Sequence, residues 1–190
     1  MGHGMPTTGE VIVLDDRARP VSSMEKMAAH VAPGVPHLAF SVMLQRQDGS
    51  VLLQRRAATK HHFAGYWSNS CCSHPAPDES VRGAAVRRVR EELGIAINST
   101  ALQVMGAFWY RAFDSVSGLV EHEYDVVMLG PASQVPEPDP DEVDSVHWVS
   151  VTDLTNATNL PEGPLTPWLR RVTETAFGSA DGPVEPGIVL

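Results

Sequence analysis

Residues 70–95 read Ser-Cys-Cys-Ser-His-Pro-Ala-Pro-Asp-Glu-Ser-Val-Arg-Gly-Ala-Ala-Val-Arg-Arg-Val-Arg-Glu-Glu-Leu-Gly-Ile. The second half has helical spacing. Val81, Ala84, Ala85, Val89 and Leu93 recur on one apolar stripe, with charged residues between them. Asp78 or Ser80 supplies a capping oxygen and Gly94 follows the last apolar residue, so the pattern predicts a helix over 78–93. The first half has no period. Two thiols, an imidazole and a proline stand side by side, and the whole stretch 57–77 reads as a loop that builds a site.

Strand signals flank this centre. Val11 to Leu14 reads as a first strand, and Lys26 to His30 as one helical turn. Pro33, Gly34 and Pro36 forbid its continuation. His37 to Gln45 and Val51 to Arg56 read as hairpin partners around an Asp48-Gly49 turn. Val104 to Arg111 and Leu119 to Leu129 form a second strand pair joined through Gly118. Val143 to Val149 is a further strand after a Pro- and acid-rich connector, and Thr166 to Phe177 a closing helix. No internal repeat is present. The expected fold is α/β (α+β): a single domain over 10–177 with a mixed β-sheet flanked by helices, and flexible ends at 1–9 and 178–190.

Composition narrows the function. A length of 190 residues suits one well-packed domain. The formal net charge of -9 argues against nucleic acid, whose backbone demands a basic surface. No apolar run reaches the roughly 18 residues that would span a membrane, and the N-terminus lacks the pattern of a secretory leader. Two adjacent cysteines suit neither a disulfide framework nor a four-thiolate zinc site, which points to reduced thiols and a cytoplasmic setting. Eight of the fourteen Lys and Arg fall between Arg55 and Arg111, so an anionic ligand would find its cations there.

Three constellations carry chemistry. His30, His37 and His74, with Glu121 and Glu123 at i and i+2 on one side of a strand, could enclose one divalent ion. Singly, each histidine reads as readily as a solvated or hydrogen-bonded structural residue. The two glutamates would repel on a buried face unless a cation joined them. Arg88 and Glu92 share a helix face. They are either a plain salt bridge or a phosphate contact beside a Mg²⁺ ligand, with Arg56 and Lys60 closing the other side. Cys72 is a small buried hydrophobe, a nucleophile or a proton carrier near basic residues.

The helix and its approach resemble the Nudix box: a glycine, five residues, a glutamate, seven residues, then Arg-Glu, an apolar residue, any residue, Glu-Glu, any residue, Gly and an apolar residue. Here Ser73 takes the glycine position. Glu79, Arg87, Glu91, Glu92 and Gly94 are kept, and Arg88 replaces a glutamate. Such a box should bind a diphosphate and hydrolyse it poorly. Over Glu25 to Trp168 the chain resembles the metal-dependent, Nudix-like isopentenyl-diphosphate delta-isomerases. The resemblance is carried by Lys26-Met27-Ala28-Ala29-His30, His37-Leu38-Ala39-Phe40-Ser41, Leu53-Gln54-Arg55-Arg56-Ala57, Lys60 and Trp67-Ser68-Asn69-Ser70-Cys71-Cys72-Ser73-His74-Pro75. Arg87 to Gly94, Tyr110-Arg111-Ala112 and Glu121-His122-Glu123 follow in the same order.

That resemblance implies interconversion of isopentenyl and dimethylallyl diphosphate by adding one proton and removing another, without a redox cofactor. It implies Cys72, Glu123 and Tyr110 as catalytic residues and Lys26, Arg56, Lys60, Arg88 and Trp168 as substrate contacts. A protein-held ion (Mn²⁺, Zn²⁺ or Mg²⁺) falls to His30, His37, His74, Glu121 and Glu123, and a substrate-borne Mg²⁺ to Glu92. The expected partner is a small prenyl diphosphate, with no nucleic acid or membrane, for a chain expected as a monomer with a dimer left open. The rival readings are a Nudix diphosphate hydrolase, a non-catalytic diphosphate- or metal-binding module, and the same chemistry on another prenyl diphosphate.

Overall fold

The centre of the fold is one strand that borders four others. A computed structural model of the chain describes residues 9–178 and 188–190. Strand β3 (His37–Gln45) runs parallel to β8 (Val120–Pro131) in unbroken register from His37↔Glu123 to Gln45↔Pro131. On its other side β3 pairs antiparallel with the short β6 (Cys71–Ser73), Ser41 facing Cys72. It also meets β1 (Glu10–Leu14) at Val13↔His37, and β1 forms a hairpin with β2 (Pro20–Glu25). Strand β7 (Gln103–Phe113) closes the far edge against β8. The sheet is mixed, as expected, because β3 and β8 are parallel and the other pairs antiparallel.

The expected hairpin of β3 with β4 (Val51–Arg56) barely exists. The two strands touch only at Gln45↔Val51 and then diverge. The stretch from β5 (Trp67–Ser68) to β6 fills the gap, β5 pairing with β4 and β6 with β3, while β4 takes β9 (Val143–Val149) as its main partner. The loop expected over 57–77 therefore holds two strands, too short for any period to betray. Ser70 ties the wedge in place, its hydroxyl donating to Leu52 O at 2.6 Å and accepting from Leu44 N at 2.8 Å. Strand β2 also escaped the sequence pattern. It starts on proline, and its first four residues are exposed, as suits an edge strand with no buried alternation.

Each face of the sheet is covered by helix. On one face α2 (Val81–Leu93) buries Val81, Ala84, Ala85, Val89 and Leu93 against Phe40, Val42, Leu44, Val126 and Met128. Ser80 caps it through Gly83 N at 3.1 Å, so the helix starts three residues later than Asp78, and Gly94 ends it in the left-handed region at φ 68°. On the other face α4 (Leu169–Phe177) and the short α3 (Val151–Asn156) pack on Met43, Leu53, Val127 and Phe108. α4 begins at Leu169, since Pro167 and Trp168 form its approach.

Alternation along the central strands follows from these two cores. Even-numbered residues of β3 and β8 face α2. Odd-numbered residues face α4, and they include His37, Ser41, Glu121, Glu123 and Asp125. Most of both expected loose ends lies outside the described residues. Of the remainder, Gly9 O accepts from Lys26 N at 2.9 Å, and Val189 O accepts from Val81 N at 2.9 Å, docking the last residues on the start of α2. Among the described residues no helix is long and apolar enough to cross a membrane.

Candidate active site

Register brings the first group together. His37 lies beside Glu123 across the parallel β3–β8 pair, and Tyr110 lies beside Glu123 across β7–β8. α1 (Lys26–His30) ends on His30, and the turn that follows needs Gly34. At φ 82° it is left-handed, and a Cβ there would stand 2.6 Å from Val120 Cγ1. His74 follows β6. His30, His37, His74, Glu121 and Glu123 then each offer one ligand atom, all within 4.8 Å of one another.

Hydrogen bonds fix how these rings point. His30 Nδ1 donates to Lys26 O and His37 Nδ1 to Val35 O, both at 2.7 Å. A carbonyl only accepts, so in the neutral rings Nδ1 holds the proton and Nε2 presents a lone pair. His37 Nε2 stands 3.1 Å from His74 Nε2 and 3.4 Å from Glu123 Oε1, while His74 Nε2 stands 2.7 Å from that same oxygen. His30 Nε2 stands 3.0 Å from Glu121 Oε2. Lone pairs and carboxylates converging in a buried space suit a divalent cation, and imidazole with carboxylate is a common donor set for one.

Electrostatics agree with that fit. Glu121 and Glu123 are 4% and 5% exposed. Burial works against the Glu121 charge, but His62 and His30 outweigh it and hold the carboxyl well below its usual range. Burial and the neighbouring Glu121 charge push Glu123 up. Burial also drives the His74 imidazolium down, leaving the neutral ring that a metal requires.

The thiols separate by strand alternation. In β6, Cys71 points into the α2 core with no exposed surface, while Cys72 faces the α4 side and lines a cavity of about 510 Å³. Burial pushes Cys72 up to about 12, despite Arg56 Nη1 at 3.8 Å from its sulfur. Tyr110 donates its hydroxyl proton to Glu123 Oε2. Burial and that carboxylate raise the phenol well above its ordinary value, so it stays a donor. Trp168, 2% exposed, is anchored by its indole N–H to Ser68 Oγ at 3.0 Å and Asn69 Oδ1 at 3.2 Å. It stands 5.7 Å from the Tyr110 ring and 5.2 Å from Phe63.

Lys26, Arg56, Lys60 and Arg88 line the same cavity, as does Trp168. Burial and Lys60 lower the Lys26 ammonium. Glu92 differs from its expected place. It is 1% exposed and does not line the cavity. Arg88 Nη2 holds its Oε1 at 2.7 Å and Gln54 Nε2 its Oε2 at 3.0 Å. The other box carboxylates are likewise paired, Glu79 with Arg87 at 2.7 Å and Glu91 with Arg88 at 2.8 Å.

Four participants were not anticipated. His62 lines the cavity, contacts Glu121 Oε1 through Nε2 and stacks on His30 at 5.2 Å between ring centroids. Arg56 holds its carbonyl at 3.0 Å, and Phe63 after it adopts a left-handed φ of 48°. Glu142 also lines the cavity and bridges Lys60 and Arg88. Ser41 donates to Asp125 Oδ2 at 2.8 Å. Only Asp125 left a signal in the sequence: it continues the i, i+2 row of Glu121 and Glu123.

A mixed sheet between helices with an Arg-rich box helix and a buried His/Glu cluster defines a Nudix-class protein. The NUDIX domain profile matches residues 35–173. A protein named isopentenyl-diphosphate Delta-isomerase from Nocardia farcinica is 44% identical over 166 residues, covering 87% of this chain and 93% of its own. One of the same name from Streptomyces griseus is 41% identical over 172 residues, covering 89% and 85%. In fold, the chain is similar to a Deinococcus radiodurans protein of known crystal structure. The TM-score is 0.69 at 16% identity, over 88% of this chain and 99% of that one. The chain belongs to the Nudix family and, within it, to the isopentenyl-diphosphate Delta-isomerases.

Proposed function

We propose that this cavity interconverts isopentenyl diphosphate and dimethylallyl diphosphate. The observation that carries the reading is one cavity holding two proton carriers of different kinds, Cys72 and Glu123, beside five Lys and Arg side chains. A proton added to the terminal methylene carbon of isopentenyl diphosphate leaves a tertiary cation. Loss of a proton from the carbon nearer the diphosphate then forms the new double bond. One proton enters and one leaves, so no oxidant or reductant is needed. The reaction runs both ways, so whichever of Cys72 and Glu123 gives a proton in one direction must take it in the other. A thiol held protonated by burial and a carboxyl hydrogen-bonded to Tyr110 are each able to do both.

The cation between these steps must be kept from water. Trp168 and Tyr110 form an aromatic wall, with Phe63 edge-on against Trp168, and the anchored indole presents a π-face suited to positive charge. Lys26, Arg56, Lys60 and Arg88 serve the diphosphate, Arg by paired contacts and Lys as a point charge. His30, His37, His74, Glu121 and Glu123 would hold a divalent ion, and that ion when bound supplies the charge that reconciles two buried carboxylates. A Mg²⁺ is expected to travel with the diphosphate.

Hydrolysis is the weaker reading, because Arg87 and Arg88 hold the box carboxylates that would gather metal on a phosphate chain. The test is incubation with isopentenyl diphosphate and Mg²⁺ in D₂O, followed by NMR. Deuterium in newly formed dimethylallyl diphosphate is the expected result. Phosphate release without isomer would sink the proposal.

A further inference from the structure

Glu142 stands immediately before β9 and is fixed from its main chain outward. Ala57 N donates to Glu142 O at 3.0 Å, and the Thr59 hydroxyl donates to Asp141 O at 2.6 Å. Its carboxylate joins two cations, Lys60 through Oε2 and Arg88 through Oε1 at 2.9 Å. Burial would raise this carboxyl, but Lys60 and Arg88 outweigh it and hold it at about 2, so it is ionised wherever the protein is folded and active.

The cations it occupies are the ones a diphosphate would need. Arg88 is already committed to Glu91 and Glu92 as well. Across the whole cavity lining, five Lys and Arg side chains face six carboxylates, so little of that positive charge is free to draw in a bare polyanion. A free diphosphate would have to share Lys60 and Arg88 with a carboxylate whose main-chain anchors keep its charge in the pocket. Charges a few ångströms apart in a half-buried site interact strongly enough to change binding by orders of magnitude. A divalent cation riding on the diphosphate removes the conflict, because it cancels part of the anion's charge and gives the carboxylate a favourable neighbour.

The geometry points to Glu142 as a specificity-determining residue: its fixed charge makes the pocket accept a diphosphate only in company with a divalent cation and reject the free anion. This rests on the cavity being a diphosphate site. The test is calorimetric titration of the full chain, as isolated, with inorganic pyrophosphate in metal-depleted buffer, with and without millimolar Mg²⁺. Wild type should bind at least about 100-fold more tightly with Mg²⁺. Glu142→Gln, of the same shape but uncharged, should bind metal-free pyrophosphate at least about tenfold more tightly than wild type, with a smaller Mg²⁺ effect. Glu142→Ala should move the same way. An unchanged Mg²⁺ ratio, or equal losses with and without Mg²⁺, would reduce Glu142 to a brace and overturn the proposal. Wild type binding both forms equally would overturn it without any variant. Wild type binding neither form would remove the diphosphate reading of the cavity itself, and this inference with it.

Discussion

Arg88→Ala should destabilise the fold before it touches catalysis. Glu92 is 1% exposed, and the Arg88 guanidinium grips its Oε1 twice, at 2.7 and 3.2 Å, leaving Oε2 to Gln54. Burial alone would lower the Arg88 guanidinium. Glu92 and Glu142 outweigh that and hold it above its ordinary value. Truncating Arg88 leaves a buried carboxylate with one neutral donor, a loss of about 3–5 kcal/mol. In a domain of this size that lowers the melting temperature by roughly 6–20 °C. The converse change is milder: Glu92→Gln leaves Arg88 paired with Glu91 and Glu142 and should cost about 1 kcal/mol. Chemical denaturation of wild type, both single variants and the double variant gives the coupling. Arg88→Ala/Glu92→Gln should recover about 2 kcal/mol relative to Arg88→Ala, since the orphaned charge is gone. A loss below about 1 kcal/mol in Arg88→Ala, or simple additivity, would refute the argument. A raised KM in Arg88→Ala has meaning for substrate binding only after this measurement.

Three further outcomes are expected. Cys72→Ala should lower isomerisation by at least about 10²–10⁴-fold with pyrophosphate affinity within about tenfold, while Cys71→Ala stays active; the reverse pattern would exchange the two thiols' assignments. Purified protein should carry about one divalent ion per chain, and removing it should abolish activity and lower the melting temperature by roughly 8–16 °C for an ion held at a thousand times its Kd. Metal-free protein that is fully active and equally stable would contradict the cluster's role. His62→Leu should weaken that ion's binding by about 10–100-fold in a competition with a chelator, and His62→Gln, which keeps a donor for Glu121 Oε1, should restore part of it; equal affinity in wild type and His62→Leu would leave His62 a packing residue.

Local signals were legible where a period had room to show. α2 announced itself through five apolar residues on one stripe, and β3, β4 and β9 through runs of six or more residues. The i, i+2 spacing of Glu121 and Glu123 placed both on one face. Their meeting with three histidines was another matter. Spacing alone did not predict it, because it depends on β3 lying parallel to β8, and nothing in two apolar strands names the partner. Family resemblance supplied that step. The same limit hid His62 and Glu142, whose contacts span 59 and 82 residues of chain. It also hid the opening of the β3–β4 hairpin, where a three-residue strand decides which cysteine meets the cavity.

The row of carboxylates on β8 shows what the strand contributes to the chemistry. Glu121, Glu123 and Asp125 alternate along one face, and Val127 follows on the same face inside the α4 core. Each step inward changes the balance between burial and nearby charge. Glu121 meets two imidazoles and is held low. Glu123 is pushed up by burial and by its charged neighbour. Asp125, 1% exposed, accepts from Ser41, its Oδ1 has no hydrogen-bond partner among the described residues, and burial raises it well above the usual carboxylate range. A strand with period two thus grades three similar groups from ionised to neutral. The middle one, Glu123, stands at the crossover, in contact with Tyr110, His37 and His74. Under the proposed function, that middle position suits a carboxyl that gives and takes a proton. Glu123 has that position through the register of β8 against β3 and β7.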